Sequence, residues 1–276
     1  MISKDTHTIG QKRSSGNLFI TSDHHVKRSK ENAEHDETIS NNDTYNDNNK
    51  HDEQRFMGYH VPDKYEKYIF ATGENELHFN AHVDGETITR LKKLVSRVVD
   101  ENKEKLVKYD KDGNVPANRT KDADFVITYI VNSPGGSVHD VLDFVDYINF
   151  LRCTYSNIQF TSIITGMVAS AGTTMCVIAD KKLMTRFAFA MIHELSAGLA
   201  RTNFTRIMTH AEFIQNVHDV LVTIYQESRG IDTGDIEKKS ELESLLNKET
   251  WMTAEQYKSH GFVDDIIANH KTNPKK

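Results

Sequence analysis

"FVITYIVNSPGGSVHDVLDFVDYINFLR", residues 125–152, decides the fold. Its first part, Phe125 to Ser133, is a β-branched apolar run bounded by turn residues, the pattern of a strand buried on both faces. Pro134-Gly135-Gly136 ends that run. A helix start follows at once: Ser137 and Asp140 stand in the S-x-x-D relation of a capping box, and Val138, Val141, Leu142, Val145 and Ile148 recur at helical spacing. A strand, a glycine turn and a capped helix in immediate succession make the first half of a parallel β-α-β unit.

The same alternation extends in both directions. Upstream, Asp84 is placed as an N-cap before Ile88, Leu91, Leu94, Val95 and Val98, an amphipathic helical stripe. Downstream, "NIQFTSIIT" (Asn157 to Thr165) reads as a second strand, Ala171 to Ala179 as a buried helix, and "KLMTRFAFAMIH" as a pair of short strands. A long amphipathic helix is expected from about Asn203 to Ser228. The fold class is therefore α/β with a largely parallel sheet. The polar stretch "KYDKDGNVPANRTKDAD" reads as a surface loop. Its Asp110 and Asp112 do not make a calcium loop, because the glycine comes too early and no glutamate closes the twelve-residue pattern.

The chain has 276 residues, is 37% hydrophobic and carries a formal charge of -6. Both signs are interspersed, so the basic footprint of a nucleic-acid binder is missing. Residues 1–55 are dominated by Asn, Asp, Glu, Lys, Ser and His, and a segment with so little to bury is expected to be a disordered polar extension. Its histidines His24, His25, His35 and His51 lack the spacing of a structural metal site. A folded domain is expected over 56–270, followed by a polar tail at 271–276. Two cysteines, Cys153 and Cys176, are too few for a disulfide framework and form no C-x-x-C pair, which points to a reduced, cytoplasmic setting. No apolar core of a secretory signal opens the chain, and no stretch approaches the ~20 apolar residues of a membrane span.

Three places carry chemistry-bearing residues. Pro134-Gly135-Gly136 lies between a strand and a helix, where bare amides and a helix N-terminus favour an anion, though the same residues also make a plain tight turn. In "GMVASAGTTM" (166–175), Ser170 is either a helix cap or a displayed nucleophile. In "AMIHEL", His193 ends an apolar strand and is either a core residue or a positioned imidazole. His193-Glu194 lacks the second histidine of H-E-x-x-H, and no G-x-x-x-x-G-K-[ST] loop is present, so neither a zinc centre nor an ATP site is expected.

Taken in order, "SPGGSV", "GMVASAG", "MIHEL" and "TAEQYKSHGFVDDI" resemble the Clp protease proteolytic subunit (ClpP) family, serine peptidases of the ClpP/crotonase fold. The resemblance runs from about Asp84 to Ile267. It implies repeated β-β-α units and a protruding handle helix, here Asn203 to Ser228. Ser170 matches the family's nucleophile and His193 its base; Gly136 and Ala171 match the backbone donors of the oxyanion hole. The family's catalytic aspartate, two residues before the aromatic of the last motif, is matched by Glu249, with Glu243 as substitute. Lys248 stands where an arginine is common, which keeps the charge and loses the planar fork. Further implications are stacked homo-oligomeric rings, polypeptide substrates, a Clp-type ATPase unfoldase as partner, and no metal or organic cofactor. Other readings are an inactive or weakened ring scaffold, a crotonase-type acyl-CoA enzyme, and a Ser-Lys peptidase using Lys181 or Lys182.

Overall fold

The computed structural model describes residues 64–116, 124–199 and 201–268, all within one unit of the chain, Tyr59–Lys276. The expected polar extension, the tail at 271–276 and residues 117–123 of the expected loop lie outside the described residues. The described part of that loop is a plain turn, in which the Asp110 carboxylate accepts from the Asp112 and Asn114 amides.

The main sheet runs β1 (Ile69–Thr72), β2 (Glu76–Phe79), β3 (Phe125–Ser133), β4 (Ile158–Ala169), β5 (Lys181–Thr185) and, last in space, β8 (Asp265–Ile267). From β2 to β8 every pairing is parallel, and only β1 is antiparallel to its neighbour. Crossovers are made by α1 (Gly85–Glu101), α2 (Val138–Thr154) and α3 (Ala171–Val177). α4 (Phe204–Ser228), α5 (Ile236–Leu246), β7 (Thr250–Thr253) and α6 (Ala254–Ser259) then lead back to β8. The core lies between the sheet and the helices, with Leu77, Phe79, Ile127, Val131, Phe160 and Ile164 meeting Leu91, Val95, Phe144 and Ile148, all buried.

Each main strand continues, past a kink, into a second short extended segment before its helix, which is the expected β-β-α unit. After β2, Val83 bridges Gly136, the segment that follows β3. Within β4 the register shifts, so that Val131 pairs with Ile164 but Ser133 pairs with Val168. The two halves of β4 also have different partners: Thr161–Ile164 pair with β5, and Met167–Ala169 pair with β6 (Phe189–Ile192). β7 then pairs antiparallel with β6. The second segments thus lie side by side and end together, each just before a helix or a turn.

Several local expectations change in detail. β3 buries one face fully and the other only partly, so it is a half-covered strand. Ser137 accepts from the Asp140 amide, but the reciprocal bond of a capping box is absent; the complete box is at Asp84 and Thr87. Along α2 the inward stripe is Val141, Phe144, Val145, Ile148 and Leu151, while Leu142 is only half-buried and so is Val138, which lines a cleft. α4 is capped by Asn203 as the long-helix reading requires. Its buried residues are Val217, Val222, Tyr225 and Gln226, all in the C-terminal half, whereas Phe204, Ile207, Met208 and Phe213 are exposed. Among the described residues no helix is long and apolar enough to cross a membrane.

Candidate active site

Three units deliver the site. Gly136 ends the segment after β3, Ser170 ends β4, and His193 follows β6. Ser170 has φ 53° and ψ -127°, a backbone conformation disfavoured for a non-glycine residue by about 1–3 kcal/mol. The strain is held by its amide donating to the Met191 carbonyl at 2.9 Å and by its carbonyl accepting from the first turn of α3. That conformation turns the hydroxyl away from the helix it precedes. Ser170 makes no side-chain cap to α3, so the capping alternative is not what the structure contains.

The hydroxyl meets His193 instead. Ser170 Oγ and His193 Nε2 are 2.8 Å apart, and both side chains are half-buried. For Ser170 to donate, Nε2 must be the unprotonated nitrogen, which leaves the ring proton on Nδ1. No hydrogen bond joins Nδ1 to Glu249 or Glu243. Glu249 is exposed, at φ 49°, and Glu243 lies on α5 within 3.9 Å of Lys239. The last pairing of β6 with β7 is Ile192 with Thr250, so His193 stands one residue after it and Glu249 one residue before it, in the turn that enters β7. The Glu249 side chain is turned to solvent.

Gly136, at φ 151°, is packed so tightly on Val83 that a Cβ there would collide with the Val83 backbone. The bridge to Val83 uses the Gly135 carbonyl and the Ser137 amide, so the Gly136 N–H faces the other way. Neither it nor the Ala171 N–H has an acceptor among the described residues, which suits both to an incoming oxyanion. A cleft of about 560 Å³ opens over these groups, lined on one side by Gly136, Ser170 and His193 and on the other by α4 residues such as Phe213, Val217 and Leu221. That volume accommodates several peptide side chains.

The remaining sequence-singled residues fall elsewhere. Lys182 is buried beneath the C-terminal end of α4, its Nζ donating to the Ser228 carbonyl at 2.7 Å, and neither it nor Lys181 lines the cleft. Asp264 accepts from the Lys182 amide and Asp265 pairs with Lys258, so both are structural. Among the described residues no group of three or more metal-ligating side chains converges. Sequence reasoning missed Thr173, whose hydroxyl donates to the carbonyl of Ser170, and Tyr225, whose phenol meets that threonine hydroxyl. A threonine three residues after the serine was the one available signal.

A parallel α/β sheet with β-β-α units, carrying a serine–histidine pair and two free amides at the ends of its second strands, defines a ClpP/crotonase-like fold with a serine-hydrolase arrangement. The family model described as Clp protease matches residues 117–270, and the chain belongs to that family. It is similar to ATP-dependent Clp protease proteolytic subunit 1 of Chlamydia abortus, 29% identical over 144 residues, 51% of this chain and 69% of that protein. It is also similar to the ATP-dependent Clp protease proteolytic subunit of Streptococcus pneumoniae strain Hungary19A-6, 33% identical over 149 residues, 52% of this chain and 69% of that protein.

Proposed function

We propose that this chain is a serine endopeptidase subunit whose reaction runs on Ser170 and His193. The observation that carries the reading is the 2.8 Å contact between Ser170 Oγ and His193 Nε2 at a strained strand–helix turn. Ser170 Oγ attacks a peptide carbonyl while its proton passes to Nε2. The Gly136 and Ala171 amides stabilise the resulting oxyanion, each donor being worth on the order of 10²–10³ in kcat. His193 returns the proton to the leaving amine, and water then releases the acyl group by the same route in reverse order. Glu249 is the acid that accepts from Nδ1, supported by its place next to Thr250, the residue paired with Ile192 just before His193; a change of its side-chain rotamer completes the set.

The exposed apolar residues along the N-terminal half of α4 support self-association into rings that enclose the sites, with polypeptide substrates delivered by an ATPase unfoldase. The names of the two relatives, each a proteolytic subunit of an ATP-dependent protease, support the same assignment. A crotonase-type acyl-CoA enzyme needs the paired amides but not a bonded serine and histidine, so the contact weighs against it. A weakened ring scaffold is favoured by one observation, the exposed and unbonded Glu249 carboxylate.

A fluorophosphonate tests the proposal, with intact mass and the modified peptide as readouts and Ser170→Ala and His193→Ala as controls. Labelling confined to Ser170 and lost in both variants is the expected result. An assembled, sized ring that takes no label makes the scaffold the better description.

A further inference from the structure

The carbonyl of Ser170 and the amide of Ala171 belong to one planar trans peptide, so whatever fixes the first aims the second in the opposite direction. That carbonyl is held with unusual thoroughness. It accepts from the Thr173 amide at 2.9 Å, the Thr174 amide at 3.4 Å and the Thr173 hydroxyl at 2.6 Å. A threonine hydroxyl reaching back to the i-3 carbonyl is ordinary helix chemistry. What is added here is a second hydroxyl from another element: Tyr225 Oη, near the C-terminal end of α4, lies 2.6 Å from Thr173 Oγ1 and 3.4 Å from Thr174 Oγ1.

The direction of this chain is forced. A carbonyl oxygen only accepts, so Thr173 must spend its proton on Ser170, and Tyr225 must therefore donate to Thr173. Thr173 is fully buried and Tyr225 is 4% exposed, so no water competes for either hydroxyl. Burial also pushes the Tyr225 phenol up, which keeps the donor protonated. Consecutive donors polarise one another, and drawing density from the Ser170 carbonyl makes the Ala171 N–H a better donor at its other end.

We infer that Tyr225 is a positioning residue for the oxyanion donor: through Thr173 it fixes and polarises the peptide that presents the Ala171 N–H, and so ties α4 to the reaction. The inference rests on the peptidase reading above, and it assigns to a helical residue 52 positions after Thr173 a role in orienting the oxyanion donor.

The test uses the full chain, a fluorogenic peptide and a fluorophosphonate. Tyr225→Phe and Thr173→Val each remove one hydroxyl with little change of shape; Thr173→Ser keeps it. In the two deletions kcat falls roughly tenfold, the factor to which ~1.4 kcal/mol converts, while KM stays put; each also lowers the unfolding midpoint somewhat, as the loss of a buried hydrogen bond requires, with no proportion between the two losses. Thr173→Ser restores kcat to within about threefold. The double variant Thr173→Val/Tyr225→Phe is no slower than Thr173→Val alone, because Tyr225 acts only through Thr173. Additive losses in the double variant, an unchanged kcat in Tyr225→Phe, or losses that track the unfolding midpoint would each overturn the inference while the wild type still labels and turns over. A wild type that neither labels nor turns over overturns the peptidase reading itself, and this inference with it.

Discussion

Replacing Gly135 by alanine displaces Ser170, the proposed nucleophile, without substituting it. Gly135 has φ 91°, and an added Cβ would stand 2.7 Å from Ser170 Cβ and nearer still to the Ala169 carbonyl oxygen. Carbon atoms rest at about 3.5–4.0 Å, so the turn carrying Ser170 must move by roughly 1 Å, toward the cleft. A misplacement of that size costs on the order of 10²-fold in rate, because the serine, the imidazole and both oxyanion amides are aligned over shorter tolerances. The backbone conformation adds roughly 1–2 kcal/mol of destabilisation for a residue with a Cβ. Gly113→Ala separates the two effects: it shares a positive φ of 78°, but nothing lies within 4 Å of its new methyl. The assay is kcat on a fluorogenic peptide beside a thermal unfolding midpoint for both variants. Gly135→Ala is expected to lose about 100-fold in kcat and Gly113→Ala less than twofold, with both losing stability. A Gly135→Ala enzyme with wild-type kcat would refute the argument that this close packing sets the serine's position.

Glu249→Ala is expected to lower kcat by on the order of 10²-fold, below the ~10⁴-fold loss produced by removing the function of a buried triad carboxylate, and Glu243→Ala to change it less than twofold. Equal small effects measured on the same peptide would remove Glu249 from the mechanism. Cys176 is fully buried and its thiol is pushed far above the ordinary range by burial, whereas Cys153 is exposed. Since the thiolate is the reacting form, iodoacetamide at about pH 8 should add one carbamidomethyl group to the native chain and two in denaturant, read by intact mass. Phe144→Ala, which removes a buried ring set edge-on to Tyr129 at 5.8 Å, should cost about 3–5 kcal/mol in a denaturant titration.

α1 and α4 are legible because their signals are local: Asp84 and Asn203 cap where a polar residue precedes an apolar stripe, whereas α5 and α6, short and with few buried residues, are not expected from the sequence. β3 was legible as a strand for the same reason, and its two-sided burial was misjudged because alternate side chains of one apolar run can face a cover that is only partial. The strand expected over Asn157 to Thr165 continues to Ala169: it bends at Gly166, φ 59°, and resumes with a new partner, which the apolar run does not disclose. The Ser170–His193 contact followed only from the order of four motifs, because no local pattern says that residues 23 apart will meet. The Tyr225–Thr173 contact had no such guide: a phenol on a helix and a threonine in a turn are individually unremarkable, and only packing pairs them. Glu249 was reached by motif position, and its place next to Thr250, the partner of Ile192, comes from the β6–β7 register, which a single sequence does not disclose.

The change of partner along β4 places the proposed catalytic pair on two different strand pairings. Ser170 is rooted in the main sheet, while His193 rides on the β6–β7 ribbon, which joins that sheet through three residues, Met167 to Ala169. The ribbon is also part of the core, since Ala190, Ile192 and Met252 are buried. A slip of one residue in the Met167–Ala169 pairing would carry His193 about 3.3 Å along the strand and turn its ring to the other face, enough to part its 2.8 Å contact with Ser170.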